Sequence, residues 1–168
     1  PEYVEPVIPD PVLGFDHALG AKSTVWVNGD EKEGDSKLCD GDEFTAFETP
    51  WGSGWKEVVA TIDLGQSRNI TAIQWRSGDA NWIEKVDVSV SSDGQTFTPV
   101  QGLQGFVMKK KWGINSMPWP GPVEGRYVRL RFHNDGQESN VIRLPVSLMI
   151  YDGVENDTVE MPQVGEQL

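Results

Sequence analysis

The sequence of 168 residues has few of the side chains that disulfide bonding, metal binding and catalysis most often use. Its one cysteine, Cys39, rules out a disulfide within the chain and is interpreted as a small core residue. The two histidines, His17 and His133, are far apart, and neither has a second histidine at metal-ligand spacing. The motifs of phosphate-binding loops, zinc proteases and thiol-redox sites are also missing, so the sequence does not predict an enzyme.

Long apolar runs and positive charges are scarce as well. No stretch approaches the 18 apolar residues that a membrane-spanning helix requires, so we expect no membrane insertion. The 14 lysines and arginines face 26 acidic residues, which gives a net charge of −12. Such a surface repels phosphate backbones and anionic lipids, so nucleic acid is not an expected partner. The acidity fits either solubility in a secreted protein or aspartates clustered around a metal.

The composition nevertheless supports one folded domain, since 38% of the residues are hydrophobic and seven are tryptophan. Residues 1–21 begin with several prolines and are interpreted as an extended lead-in. Residues 22–153 form the predicted domain, and residues 154–168 an acidic tail or linker. The sequence starts at Pro1 without a signal peptide, so we expect a processed chain or a piece of a longer one.

Apolar and polar residues alternate with a period of two in the stretches 58–63, 69–76, 83–91, 126–132 and 142–151. This alternation places Val88 and Leu130 on inward faces. Asp-Gly pairs mark turns between the stretches, and Pro145 within the last one indicates an edge strand or a bulge. The pattern predicts an all-β fold, an antiparallel β-sandwich.

Five segments resemble, in order, the motifs of discoidin domains, which are also called coagulation factor V/VIII type C domains. These segments are LCDGDEFTAF (38–47), ATIDLGQSRNITAIQWR (60–76), VDVSVSSDGQTFTPV (86–100), RYVRLRF (126–132) and LMIYDG (148–153). In bacteria the group includes the family 32 carbohydrate-binding modules. The resemblance therefore implies a discoidin-like (galactose-binding-domain-like) jelly-roll sandwich of five- and three-stranded sheets, with a ligand site on its loops.

The resemblance also implies a structural calcium ion, a cation that prefers oxygen ligands. The matching positions are the carbonyls of Leu38 and Asp42, the carboxylate of Asp40, the carbonyl and hydroxyl of Thr45, and Ser147. Relatives usually carry a glutamate where this chain has Ser147, so we expect a weaker site. The alternative is that Asp40 and Gly41 only form a turn, in which the aspartate bonds its own backbone.

The segment TAFETPW (45–51) resembles a sugar-contacting segment of galactose-binding relatives, with Glu48 in place of their histidine. We expect Phe47 to face the core, while Glu48 and Trp51 project from the loop. An aromatic ring covers the flat face of a sugar, and a carboxylate accepts bonds from two adjacent hydroxyls. Trp51 has the alternative role of a rim residue packed on Gly52 and Gly54.

Two further loops complete the implied sugar site, with the residues Arg76, Asn81, Trp82 and Asn134. Arg76 has the alternative of a salt bridge to Asp79 or Glu84, and Trp82 lies either in the site or in the core. The basic stretch at 108–122 is interpreted as a solvated loop over the core, with an acidic polysaccharide as its alternative partner.

Together these features predict a non-catalytic carbohydrate-binding module of an extracellular or cell-surface bacterial protein. Its partner would be an oligo- or polysaccharide, and it would be tethered to other domains of a larger protein. The alternative is a protein-interaction or adhesion domain of the same fold, because a fold does not fix a function.

Overall fold

A computed structural model of the chain describes residues 14–32, 37–42, 45–48, 54–77, 85–108, 113–133 and 144–153. Its regular structure consists of strands β1 (Lys22–Val27), β2 (Asp30–Lys32), β3 (Glu57–Ser77), β4 (Lys85–Ser91), β5 (Thr98–Pro99), β6 (Phe106–Val107), β7 (Gly113–His133) and β8 (Val146–Tyr151). All strand pairs are antiparallel. The described residues contain no helix that could cross a membrane. The predicted all-β class is confirmed.

The two longest strands, β3 and β7, each have 21 residues and take part in both layers of the sandwich. The first part of β3 pairs with β1 and with the last part of β7, and β7 continues to β4. This first sheet has the order β2-β1-β3-β7-β4, and the short strands β5 and β6 pair with β4. The second sheet joins the last part of β3 to the first part of β7 and to β8.

Two bulges in the β3–β7 ladder mark the passage between the layers. Between the pairs Asp63–Tyr127 and Arg68–Gly125, β3 holds three more residues than β7. Between the pairs Ile70–Val123 and Ala72–Pro118, β7 holds three more than β3. The register after both bulges is therefore the same as before them. Bulges bend strands, and these two carry the strand pair from the first sheet into the second.

The core lies between the sheets and follows the period-two alternation of the strands. Val88 and Leu130 are 0% and 2% exposed, so their predicted inward orientation is confirmed. Cys39 is buried as expected, and Phe47 packs partly buried against the core. The second sheet contributes Ile73, Met117, Leu148 and Ile150, with Trp75 and Trp119.

The interpretation of 108–122 as a loop is wrong for residues 113–122, which form the first part of β7. Met117 and Trp119 are buried, while Pro118 and Pro120 point outward between them. Because the prolines lie next to the bulge in the ladder, their missing N–H groups are tolerated there. Residues 109–112 lie outside the described part of the chain.

Strand β8 behaves as Pro145 predicts, since it pairs with β3 alone among the named strands and its register shifts between Gln74 and Arg76. Residues 14–18 run along its other side. His17 N donates to the Ile150 carbonyl at 2.9 Å, and Ile150 N donates to the Asp16 carboxylate at 3.0 Å. This part of the predicted lead-in thus contacts the sandwich.

Candidate functional site

The segment that carries the predicted metal and sugar residues is attached to the end of the second sheet by two backbone hydrogen bonds. Leu148 N donates to the Leu38 carbonyl at 3.0 Å, and Leu144 N donates to the Phe47 carbonyl at 2.9 Å. Leu148 belongs to β8, and Leu144 lies two residues before the start of that strand. The loop and the closing strand are therefore brought together by backbone hydrogen bonds.

Within this loop, the Asp40 carboxylate binds two groups that follow it in sequence. Asp42 N donates to its Oδ1 at 2.9 Å, and the Thr45 hydroxyl donates to its Oδ2 at 2.5 Å. Thr45 also approaches the Asp42 carbonyl, with Oγ1 at 3.1 Å and N at 3.3 Å. Gly41, with φ +76°, supplies the left-handed residue that this tight turn needs.

The oxygen atoms in this turn are the kind that calcium prefers, and one of the predicted ligands, Asp40, supplies a carboxylate. Asp40, Asp42 and Thr45 contact one another, and Ser147 lies next to Leu148, which binds Leu38. In the part of the chain that the structure describes, no three acidic, histidine or cysteine side chains group into a metal site. The donor set fits an oxygen-ligated ion with one carboxylate, and the same bonds equally describe a turn capped by Asp40.

The predicted sugar residues Glu48 and Arg76 lie at one end of the sandwich. Arg76 is exposed near the end of β3, in register with Ile114 and Val146. The exposed Glu48 follows Phe47, which bonds Leu144, only two residues before Val146. Two residues span about 7 Å at most, so these two side chains start from neighbouring stretches of backbone.

The remaining predicted sugar residues, Trp51, Asn81, Trp82 and Asn134, lie outside the described residues, as do the alternative partners Asp79 and Glu84. The structure therefore brings together one part of the predicted site, and the roles of the other residues stay predictions.

The structure adds Asn28, a residue that the sequence analysis did not single out. Its side chain donates to the Gly54 carbonyl at 3.1 Å and accepts from the backbone N–H groups of Lys56 and Glu57 at 2.9 and 3.1 Å. The stretch after Trp51 is thereby attached to the β1–β2 turn, while Phe47 anchors the stretch before it. The signal in the sequence is the Asn-Gly pair at 28–29, a typical hairpin turn in which Asn28 has φ +49°.

A chain of ion pairs lies at the same end of the first sheet, on its outer face. Arg131 Nε is 2.5 Å from Glu57 Oε2, and its Nη1 is 2.9 Å from Asp87 Oδ2. Burial acts to raise the pKa of Asp87, but the Gly105 N–H, His133 and Arg131 outweigh it and lower that pKa. These residues hold β3, β7 and β4 together beside the candidate site.

The chain is similar to a known protein family in sequence and to solved structures in fold. Residues 20–144 match the sequence profile of the F5/8 type C domain. No curated protein matches the chain.

Three solved structures illustrate the similarity of fold, all from Clostridium perfringens. CpGH89CBM32-6 is 21% identical, with a TM-score of 0.59, over 83% of this chain and 100% of that one. CpGH89CBM32-5, solved in complex with GalNAc-β-1,3-galactose, is 19% identical, with a TM-score of 0.63, over 78% and 94%. The family 32 carbohydrate-binding module of NanJ, in complex with galactose, is 16% identical, with a TM-score of 0.64, over 83% and 98%. At these identities the likeness establishes the fold, a discoidin-like β-sandwich.

Proposed function

The chain belongs to the F5/8 type C domain family, and on that premise we propose that it is a non-catalytic carbohydrate-binding module. The observation that carries the proposal is that Glu48 and Arg76 arise from adjoining stretches of backbone at one end of the sandwich. We call this region, which contains Glu48 and the end of β3, the loop end. It holds the glycan, and no step of bond breaking is assigned to the chain.

At the loop end, each proposed binding residue can make a contact that suits a sugar. The Glu48 carboxylate accepts hydrogen bonds from two adjacent hydroxyls, and the Arg76 guanidinium donates to ring or hydroxyl oxygens. Trp51 stacks on the C–H face of the sugar, with Asn81, Trp82 and Asn134 as further contacts. The anchors at Phe47 and Asn28 fix both sides of the stretch that contains Trp51, which lowers the entropy lost on binding.

Support for a saccharide ligand comes from the similar folds, because the NanJ module is in complex with galactose and CpGH89CBM32-5 with GalNAc-β-1,3-galactose. Since Glu48 replaces the histidine of galactose-binding relatives, the preferred sugar differs from theirs. Binding at one shallow loop site is weak, so the module works by tethering. We therefore place it in a larger extracellular or cell-surface protein.

A glycan array followed by calorimetry of the best ligand tests this function. Trp51→Ala should abolish measurable binding, and Glu48→Gln should weaken binding by about 1.5–3 kcal/mol, the scale of a charge-assisted hydrogen bond. Glu124→Gln is the matched control, because Glu124 bonds Ser67 near the bend of the sheets, away from the loop end.

If both loop-end variants bound the glycan with wild-type affinity, the ligand site would have to lie elsewhere on the protein. If no glycan on the array bound and a protein partner were captured instead, the alternative of a protein-interaction or adhesion domain would replace this proposal.

We also propose that the turn at 38–45 holds a calcium ion, with Leu38, Asp40, Asp42, Thr45 and Ser147 supplying oxygen atoms. An ion that binds only the folded state raises the melting temperature by mass action. EDTA should therefore lower the melting temperature and calcium should restore it, whereas Asp40→Asn should respond to neither. If chelation left the wild-type melting curve unchanged, the turn alone would account for the contacts of Asp40.

A further inference from the structure

Strand β7 carries three arginines in its last part, and they differ in their partners. Arg126 binds Asp63 through two hydrogen bonds of 2.8 and 3.1 Å. Arg131 binds Glu57 and Asp87. Arg129, between them, bonds the Thr61 hydroxyl through Nε at 3.1 Å, and no described carboxylate pairs with it.

The pKa values of the three arginines reflect this difference. The hydrogen bond to Asp63 raises the pKa of Arg126. Burial acts to lower the pKa of Arg131, but its bonds to Glu57 and Asp87 outweigh it and raise that pKa. Burial alone lowers the pKa of Arg129. Arg129 is thus a partly desolvated cation with no carboxylate partner among the described residues, in a chain of net charge −12.

Aromatic rings hold the Arg129 guanidinium in place. Its central carbon lies 3.7 Å from the centroid of the Phe97 ring and 5.7 Å from that of Trp26. Both rings are half-buried on the outer face of the first sheet, so each leaves part of its surface in solvent. With Nε bonded to Thr61, the Nη1 and Nη2 groups remain as a rigid fork, which matches the two oxygens of a carboxylate.

The surroundings of this fork favour an anion despite the acidity of the whole chain. Asp63, Glu57 and Asp87 already bind Arg126 or Arg131. Glu31 lies opposite Trp26 on β2, and the backbone of β2 is three strands, or about 14 Å, from the backbone of β7 at the usual strand spacing. At physiological salt the screening length is about 8 Å, so nearby charges matter more than the total.

We propose that the outer face of the first sheet is a second carbohydrate-contacting surface, at which Arg129 binds the carboxylate of a uronic acid unit that packs beside Trp26 and Phe97. We call these three residues the sheet-face site. It rests on the proposed carbohydrate-binding function but lies on a different surface from the loop end. A uronic acid suits the site because it joins a planar carboxylate, for the fork, to a C–H face that packs on a ring.

The test is calorimetric titration with tetragalacturonate at about 0.15 M salt, where surface charges are partly screened. Arg129→Gln should weaken binding at least ten-fold. Arg129→Lys keeps the charge without the fork, so it should weaken binding about five-fold, and it serves if Arg129→Gln does not fold. Arg126→Gln removes the same charge three residues away, and its affinity should stay within two-fold of wild type.

Three probes separate the chemistry of the ligand. Neutral galactose oligomers should not depend on Arg129, and dextran sulfate and polyglutamate should bind more weakly than tetragalacturonate. Stronger binding of dextran sulfate would overturn the choice of a carboxylate, and stronger binding of polyglutamate would overturn the choice of a saccharide. If Arg126→Gln and Arg129→Gln lost affinity for tetragalacturonate equally, net charge alone would explain the effect. The sheet-face site would then be wrong.

The two proposals fail separately. If the wild type binds the glycan from the array but not tetragalacturonate, only the sheet-face site is wrong. If tetragalacturonate binds through Arg129 while no neutral glycan binds, only the loop end is wrong.

Discussion

The inner and outer faces of the first sheet are built from the same three strands and have opposite physical roles. On the inner face, Ala60, Leu130 and Val88 stand side by side on β3, β7 and β4, and all three are buried. In the adjacent row, one residue away on each strand, Thr61, Arg129 and Ser89 stand side by side on the outer face. The inner row has no polar side chain, while the outer row carries hydrogen-bonding groups and a cation. Neighbouring positions should therefore respond to substitution on different scales.

The largest expected effect is on the inner face. Leu130→Ala removes a buried side chain and leaves a cavity, so it should lower the free energy of unfolding by about 2–4 kcal/mol. Arg131→Ala, on the adjacent outward position, should cost less than about 1 kcal/mol because it removes exposed ion pairs. Urea denaturation of both variants measures the difference between their free energies of unfolding. Equal losses would mean that the two faces contribute equally to stability.

A steric contact on the outer face should give an effect of intermediate size. Gly94 has φ +80°, and a Cβ added there would lie 3.1 Å from the Tyr127 ring. Gly94→Ala should thus cost about 1–2 kcal/mol through backbone strain, with more if the ring is displaced. The control is Gly29→Ala, at φ +87° with nothing near the added Cβ, which isolates the strain from the contact. A smaller loss at Gly94 than at Gly29 would contradict the role of the ring.

The ion pair between Arg126 and Asp63 should contribute less than the Gly94 contact, because both side chains are partly exposed and water screens their attraction. A double-mutant cycle with Arg126→Gln and Asp63→Asn measures the coupling in thermal denaturation. If the coupling free energy exceeded the loss of unfolding free energy in Leu130→Ala, the outer face would contribute more to stability than the inner face.

The smallest expected effect is the change in stability at acidic pH. The bond from Arg126 lowers the pKa of Asp63, and the Gln95 and Thr96 N–H groups lower that of the exposed Asp93 to about 2. A carboxylate whose pKa is lower in the folded state stabilises above its unfolded pKa, near 3.8, and loses that contribution as the pH falls through the folded pKa. Burial raises the pKa of Asp16, so its contribution has the opposite sign and is lost as the pH rises above 3.8.

We therefore expect the melting temperature to fall between pH 4 and about pH 2, and Asp93→Asn to flatten part of that fall. Near neutral pH, Asp93→Asn should lower the melting temperature slightly, because the variant removes the negative charge that strengthens the bonds from Gln95 and Thr96, and that contribution is fully present above pH 3.8. An unchanged slope in Asp93→Asn would show that this turn does not contribute to the acid response.

Patterns of neighbouring residues in the sequence predicted several strands and their buried faces. Alternation placed Val88 and Leu130 correctly, because burial on one side of a strand repeats every second residue. It could not show that 58–63 and 69–76 form one strand, since the bulges that join them are set by pairing with β7. It also mistook 113–122 for a loop, because Pro118 and Pro120 argue against a strand unless a bulge is known to lie beside them.

For the candidate site, the resemblance gathered Asp40, Thr45 and Glu48 into one loop, and the structure joins that loop to the end of β8. The role of Asn28 was not visible, because its partners, Gly54 and Glu57, lie far from it in sequence. The sheet-face site was hidden for the same reason, since Trp26, Phe97 and Arg129 come from three distant stretches of the chain.

The ladder between β3 and β7 also bears on the rate of folding. Strands β4, β5 and β6 lie between them in sequence, so no rung of the ladder forms from a local hairpin. The chain must lose the entropy of closing a long loop before the first of these rungs forms. Proteins dominated by such distant pairings fold in milliseconds to seconds, whereas local hairpins form in microseconds. We expect β1 and β2 to pair early, and the summed fluorescence of the tryptophans, among which Trp55, Trp75 and Trp119 are buried, to report the later closure of the two layers.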